Sequence, residues 1–352
     1  MKKSKNAVRL VAVLSALTVL CSSLSGCSAK FSEFTSFSMG SVLSAKIYTE
    51  DEDLASDIRD NITSACEQSE KALSGTDEKS EIFILNKNKR LLASDYLINT
   101  LMDIVMVSNI LERKVDVSVG EITKLWGFTS DDPHVPDKAL LSTAVEARDI
   151  EKILIDPDSK RITIENDISL DTGAFGKGAA CDAVYTEIRD FYAPVIMSLG
   201  GTVMAYGEGP SDGKWTVGIR NPFGTADDYF ATLTLAADNS KNAFFISTSG
   251  SYEKTFTENG VTYHHIIDPK SGYPVKNDLV SVTVLASSGL NADALSTALF
   301  VNGFNDDAIQ ILNTFFAEAV FVFSDSSCYV TEGLREAFEL TDEGFSLKEY
   351  EK

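Results

Sequence analysis

Two of the chain's three histidines stand side by side at the head of the run H-H-I-I-D-P-K-S-G-Y-P, residues 264–274. A histidine in a cleft can act as a general base near neutral pH. Asp268, Pro269 and Lys270-Ser271-Gly272 predict a strand end running into a turn, and strand alternation should turn one ring inward and the other outward. One packed and one solvated ring would be the bland outcome for a lone pair; the flanking acid and turn favour chemistry.

A second candidate is the loop Asp171-Thr172-Gly173-Ala174-Phe175-Gly176-Lys177-Gly178, between a predicted strand and a helix. Glycines let a backbone approach a ligand closely, and amides at a helix start hold phosphate. The order G-x-x-G-x-G meets neither the Rossmann nor the Walker spacing, so a glycine-rich turn with Lys177 reaching solvent is the alternative. A third candidate is Asp293 with Thr297, four residues apart on a predicted helix and therefore on one face. Two oxygen ligands there suit a hard cation such as Mg²⁺. The helix is otherwise core-facing through Ala292, Ala294, Leu295, Ala298 and Leu299, and an aspartate in such company wants a partner.

These residues need a scaffold. Thr35 to Tyr48 reads as one strand carrying Met39-Gly40-Ser41, whereas Asp53 to Leu73 and Asp95 to Leu111 have helical periodicity. Residues 129–140 form a polar connection, and 153–156 pairs with 161–165 around Pro157-Asp158-Ser159. Gly178 to Tyr192 and Asn291 to Asn302 are predicted helices. Strands are expected at 195–199, 214–220, 229–236, 243–248 and 279–285, often joined by hairpin-length turns such as Glu258-Asn259-Gly260. The fold class expected is α+β, with mixed, largely antiparallel sheets and packed helices.

The chain opens on Lys2, Lys3, Lys5 and Arg9, an apolar stretch from Ala12 to Leu20, and Leu24-Ser25-Gly26-Cys27. This is a secretory signal closing in a lipobox-like tetrapeptide, and its apolar core is short for a membrane span. Residues 1–26 are therefore expected to be removed, Cys27 to carry a lipid, 27–34 to act as a tether and 35–352 to form one catalytic unit. Loss of four positive charges and no acids takes the formal net charge from -21 to -25. So acidic a protein is not expected to bind nucleic acid, and a phosphate ligand would need a local metal or lysine. Cys66, Cys181 and Cys328 are irregularly spaced and predict no disulfide framework.

Six collinear segments resemble the ApbE family of FAD:protein FMN transferases: Met39-Gly40-Ser41; Ser74 through Ser80-Glu81-Ile82 to Asn86; Val115 to Gly120 with Leu125-Trp126-Gly127-Phe128; Asp171 to Asp182; Ser198-Leu199-Gly200-Gly201; and Thr248 to Glu253 leading through His265-Ile266-Ile267-Asp268-Pro269 to Ala292-Asp293-Ala294-Leu295-Ser296-Thr297-Ala298. The resemblance implies an extracytoplasmic, often lipid-anchored enzyme that moves the FMN half of FAD onto a Thr or Ser of a flavoprotein acceptor and releases AMP. It implies FAD contacts from Met39, Thr76, Trp126-Gly127-Phe128, Asp171, Lys177 and Ile267. It further implies Mg²⁺ ligands in the Ala174 carbonyl, Asp293 and Thr297, with Ser296 where some relatives place another acidic ligand. Thr76 stands where many members have Tyr, and Ser41 where Thr is commoner.

Those parts fit the chemistry. A metal and Lys177 could neutralise a pyrophosphate under attack, and a base must take the acceptor hydroxyl's proton, with His265 the first candidate and His264 the second. Trp126 and Phe128 are either a platform for a flavin or adenine ring or core packing. A lipoprotein that only binds or hydrolyses FAD is the alternative. A penicillin-binding type of serine acyltransferase is also suggested by Ser251-Tyr252-Glu253-Lys254 as S-x-x-K and Lys270-Ser271-Gly272 as a K-T-G mimic. However, Lys254 and Lys270 are only 16 residues apart with no S-D-N between them.

Overall fold

The structure, a computed structural model, describes residues 30–237 and 242–349; the leader and Cys27 lie outside the described residues. The chain begins with the hairpin β1 (Ser32–Ser38) and β2 (Ser41–Ile47), then α1 (Glu52–Leu73), α2 (Glu81–Asn88), β3 (Arg90–Leu92) and α3 (Asp95–Ile110). Next come α4 (Gly120–Trp126), α5 (Lys138–Ala147), β4 (Ile153–Asp156), β5 (Arg161–Ile164) and α6 (Gly176–Ile188). Strands follow as β6 (Val195–Leu199), β7 (Thr202–Tyr206), β8 (Lys214–Arg220), β9 (Tyr229–Ala236), β10 (Ala243–Gly250), β11 (Thr255–Glu258), β12 (Val261–His264) and β13 (Leu279–Ala286). The chain closes with α7 (Gly289–Asn302), α8 (Asp306–Phe315), β14 (Glu318–Phe323), β15 (Ser327–Val330), β16 (Phe338–Leu340) and β17 (Ser346–Leu347).

A nine-stranded sheet in the order β1-β2-β6-β7-β10-β13-β14-β15-β17 is the backbone of the fold. Every neighbouring pair in it is antiparallel except β15 with β17. Its central strands are buried on both faces, because alternate residues enter different cores. Val195, Met197, Leu199, Met204 and Phe245 pack toward the helices. Ile196, Val203, Ala205, Phe244 and Ile246 pack the other way, with Trp215, Phe230 and Leu233 of the small β16-β9-β8 sheet. The α+β expectation is met by a large antiparallel sheet with α1, α6 and α7 on one face.

The stretch 35–48 departs from the single predicted strand. It is two strands joined by Met39-Gly40, with Ser38 facing Ser41 and positive φ at both turn residues (52° and 68°). Such two-residue turns match the twist of the flanking strands and favour glycine, so a methionine in the first place is strained. The 129–140 connection already contains the start of α5, and the predicted 178–192 helix runs from Gly176 and stops at Ile188. Elements outside the expected set include α2 and α4, at eight and seven residues too short to carry a clear period, and also β7 and α8, although α8 buries Ala308, Ile311 and Leu312 on one face.

Candidate active site

Two turns and one helix start meet at the centre of the site. The Met39 side chain lies over the beginning of α6, where its Cε would stand 3.1 Å from a Cβ added at Gly176. Gly200 and Gly201 form the two-residue turn between β6 and β7, both with positive φ. A Cβ at Gly200 would come within 2.2 Å of Ser41 Oγ and 3.3 Å of Lys177 Cδ, so glycine is required for these segments to close together.

The glycine loop is held by long-range bonds. Thr172 Oγ1 donates to the Leu73 carbonyl (2.6 Å), Asn86 exchanges two hydrogen bonds with the main chain of Leu170, and the Asp171 amide donates to Val117. The Asp171 carboxylate accepts from Thr123 Oγ1 (2.6 Å) and from the Gly173 amide (2.7 Å). The segments 74–86, 115–123 and 169–173 are thereby laid side by side.

Gly178 is the third residue of α6, so its N–H has no acceptor within the helix. It donates to Asp293 Oδ2 at 3.0 Å. Neither the Ala174 carbonyl nor the first-turn amide of Lys177 has a hydrogen bond among the described residues. Asp293 Oδ1 accepts from Ser247 Oγ (3.2 Å) and lies 3.9 Å from Lys177 Nζ. The reverse arrangement holds α7: Asp182 of α6 accepts from Ser288 Oγ and from the Gly289 and Leu290 amides (3.0, 2.6 and 2.8 Å). Each helix thus supplies a carboxylate to the other's amino-terminal end, where the dipole favours negative charge. Burial raises the Asp182 pKa, and these hydrogen bonds oppose that shift.

Hydroxyls complete the Asp293 side. Phe245 of β10 faces the helices, so Ser247 and Ser249 face them too. Thr202 Oγ1 bonds Ser247 at 3.0 Å, and Ser249 Oγ lies 2.8 Å from Ser296 Oγ and 2.9 Å from Thr297 Oγ1. Among the described residues no group of three or more His, Cys, Asp or Glu gathers as a metal site. A cation here would be held by one carboxylate, hydroxyls, a free carbonyl and a ligand's own oxygens. That all-oxygen set fits a hard divalent ion that keeps phosphate or water in its sphere.

The two histidines differ in their bonding. His264 is used at both nitrogens: Nε2 lies 2.9 Å from the Val275 carbonyl, which can only accept, so Nδ1 is the acceptor for the Ile266 amide (3.3 Å). His265 Nδ1 lies 3.0 Å from the Glu253 carbonyl and must carry the proton, leaving Nε2 as a free base. Burial, then the charge of Lys254 and more weakly that of Lys177, depresses its pKa to about 3, against the opposing hydrogen bond to Glu253. Lys254 is accessible yet walled by protein; that desolvation, and then Lys177, lowers its ammonium pKa, while Glu253 and Asp171 oppose. Its φ of 42° sets it off from the β11 strand that follows. Lys177, Lys254, His265 and Asp171 thus share one electrostatic neighbourhood.

Other expected contacts lie elsewhere. Trp126 is fully buried among Phe128, Phe256, Tyr263 and Tyr273, and its indole N–H donates to the Gly272 carbonyl at 2.7 Å. Its ring is therefore core, not a flavin platform, because every edge is already occupied. Phe128, stacked on it, keeps some exposed surface, while Gly127 caps α4 with a φ of 66°. Ile267 belongs to the same apolar cluster. Thr76 is exposed in the loop after α1, its amide donating to Ser74 Oγ. Sequence reasoning assigned no part in this reaction to Lys254, Ser247, Ser249 or Asp182. The hydroxyl run Ser247-Thr248-Ser249, following the apolar start of β10, was the available signal for the two serines.

The ApbE family profile matches residues 39–321. A FAD:protein FMN transferase of Klebsiella pneumoniae (strain 342) is 27% identical over 314 residues, covering 88% of this chain and 94% of the relative. The FAD:protein FMN transferase of Haemophilus influenzae is 29% identical, covering 66% and 68%. Among solved structures, the ApbE protein of Thermotoga maritima superposes with a TM-score of 0.79 at 26% identity, covering 88% of this chain and 99% of that one. The apo flavinyl transferase ApbE of Pseudomonas stutzeri has the same fold, with a TM-score of 0.74 at 24% identity over 88% and 96%.

Proposed function

The chain belongs to the ApbE family, and we propose that it is a FAD:protein FMN transferase. It splits the pyrophosphate of FAD, attaches FMN through a phosphoester to a Thr or Ser of an acceptor flavoprotein, and releases AMP. The observation that carries this reading is the His265 geometry: Nδ1–H is fixed on the Glu253 carbonyl and Nε2 is free, in the same electrostatic neighbourhood as Lys177 and Lys254.

The acceptor oxygen attacks the phosphorus of the FMN half while His265 Nε2 takes its proton. The bond from that phosphorus to the bridging oxygen breaks, and AMP leaves with its electron pair. Lys177, Lys254 and the free Lys177 amide meet the negative charge of the pyrophosphate. That same negative charge, once bound, offsets the two lysines and raises the His265 pKa toward its working range. Mg²⁺ held by the Ala174 carbonyl, Asp293 and Thr297 would add charge neutralisation on the phosphates. Met39, Phe128 and Asp171 are assigned to holding FAD.

The test is to incubate the protein with FAD, with and without Mg²⁺ and an acceptor, and to follow AMP and acceptor-bound flavin. Metal-dependent AMP together with labelled acceptor is expected, and Asp293→Ala should lose both. AMP without any labelling across candidate acceptors would make the protein a FAD pyrophosphatase, whereas failure to bind FAD would overturn the reading. Among the described residues no helix is long and apolar enough to cross a membrane. We assign membrane attachment to a lipid on Cys27, outside the cytoplasm, from the lipobox-like sequence; Cys27→Ser should release the protein from the membrane fraction.

A further inference from the structure

The hydroxyls around Thr297 can be ordered proton by proton. The main-chain carbonyl of Asp293 can only accept, so Ser296 Oγ, 2.9 Å away, gives it its single proton. Ser296 then has only lone pairs to offer Ser249 Oγ at 2.8 Å, and Ser249 must donate there. Having spent its proton, Ser249 can only accept from Thr297 Oγ1 at 2.9 Å. The chain therefore runs one way, from Thr297 through Ser249 and Ser296 to a carbonyl that cannot reverse it.

We infer that Ser249 and Ser296 are positioning residues that hold the Thr297 hydroxyl with its proton turned toward Ser249, leaving its lone pairs free to bind a divalent cation. The inference rests on the magnesium reading of this site. Its physical content is that a hydroxyl ligand must offer lone pairs, and a freely rotating one turns its proton toward the cation part of the time. Ser296 does not touch the cation's ligand oxygen in this scheme. It acts only by fixing the direction of the Ser249 proton.

The test measures Mg²⁺ binding, not turnover. Full-length protein in detergent is titrated calorimetrically with Mg²⁺ in the presence of ADP, and melting temperatures are recorded without metal. Ser249→Ala should raise the Mg²⁺ Kd about tenfold, the scale of an outer-sphere partner of a metal ligand, and Ser249→Thr should restore it. Ser296→Ala should weaken binding in the same direction by a smaller factor, because Ser249 is then free to turn its proton onto Thr297. Should Ser249→Ala lose its cooperative melt, Ser296→Ala carries the decision alone. Wild-type affinity in folded Ser249→Ala and Ser296→Ala, with binding lost in Asp293→Ala, overturns the inference and leaves the magnesium reading intact. Wild-type affinity in Asp293→Ala as well removes the metal site itself.

Discussion

At the scale of single residues, the decisive difference lies between His264 and His265. Both are partly enclosed, but only His265 has a nitrogen free to take a proton. His265→Gln keeps the hydrogen-bonding shape and removes the base, so AMP release should fall roughly 10²- to 10⁴-fold while FAD binding, read by fluorescence, stays near wild type. Equal losses in both would mean that the ring holds the substrate. The depressed pKa also has a sign for stability. Between the free-imidazole value of about 6.5 and about 3, the unfolded chain takes up a proton that folded His265 resists. The contribution of this residue is complete above the upper value and is lost as pH falls toward the lower. Melting temperature should therefore drop between pH 7 and pH 4, less steeply in His265→Gln.

At the scale of elements, α6 and α7 are joined by exchanged carboxylates and by glycine contact. A Cβ at Gly178 would stand 2.1 Å from the Gly289 carbonyl oxygen and 2.8 Å from Asp293 Cβ. Neither neighbour is a flexible chain end, so Gly178→Ala must push the helices apart, at a cost of about 1–3 kcal/mol or more. Since Asp293 rides on α7, the loss of Mg²⁺-dependent activity should exceed the loss of stability measured by urea unfolding. Asp182→Ala leaves two amides and a hydroxyl at the start of α7 without their acceptor and should cost about 1–3 kcal/mol in the same measurement. A value near zero would show that water replaces the carboxylate.

At the scale of the molecule, an acidic chain concentrates two lysines beside His265, so the positive charge needed for a pyrophosphate is local and not a property of the surface. The cysteines among the described residues, Cys66, Cys181 and Cys328, are free and buried. Burial pushes the Cys66 thiol up to about 12 and that of Cys328 to about 11, which keeps them protonated. A thiol reagent should label none of them in the native protein and all three after denaturation, and dithiothreitol should leave the melting temperature unmoved. A fourth thiol in the denatured, leader-free protein would show that Cys27 carries no lipid.

Much of this was legible in sequence, where a local pattern carries the signal. Long periodic helices such as α1 and α3, the strands β6, β8 and β9, and the Asn-Gly turn follow from period and turn chemistry within a few residues. The segments from Met39 to Thr297 named the chemistry because the ligand-contacting stretches are short and contiguous. The sequence left open which histidine is the base, whether Trp126 faces a ligand or the core, and which serines support Thr297. Those answers depend on bonds between residues far apart in the chain, such as Gly178 to Asp293, Trp126 to Gly272 and Ser249 to Thr297. A proton's position is set by the acceptor it meets, and only the closed tertiary structure brings that acceptor within reach.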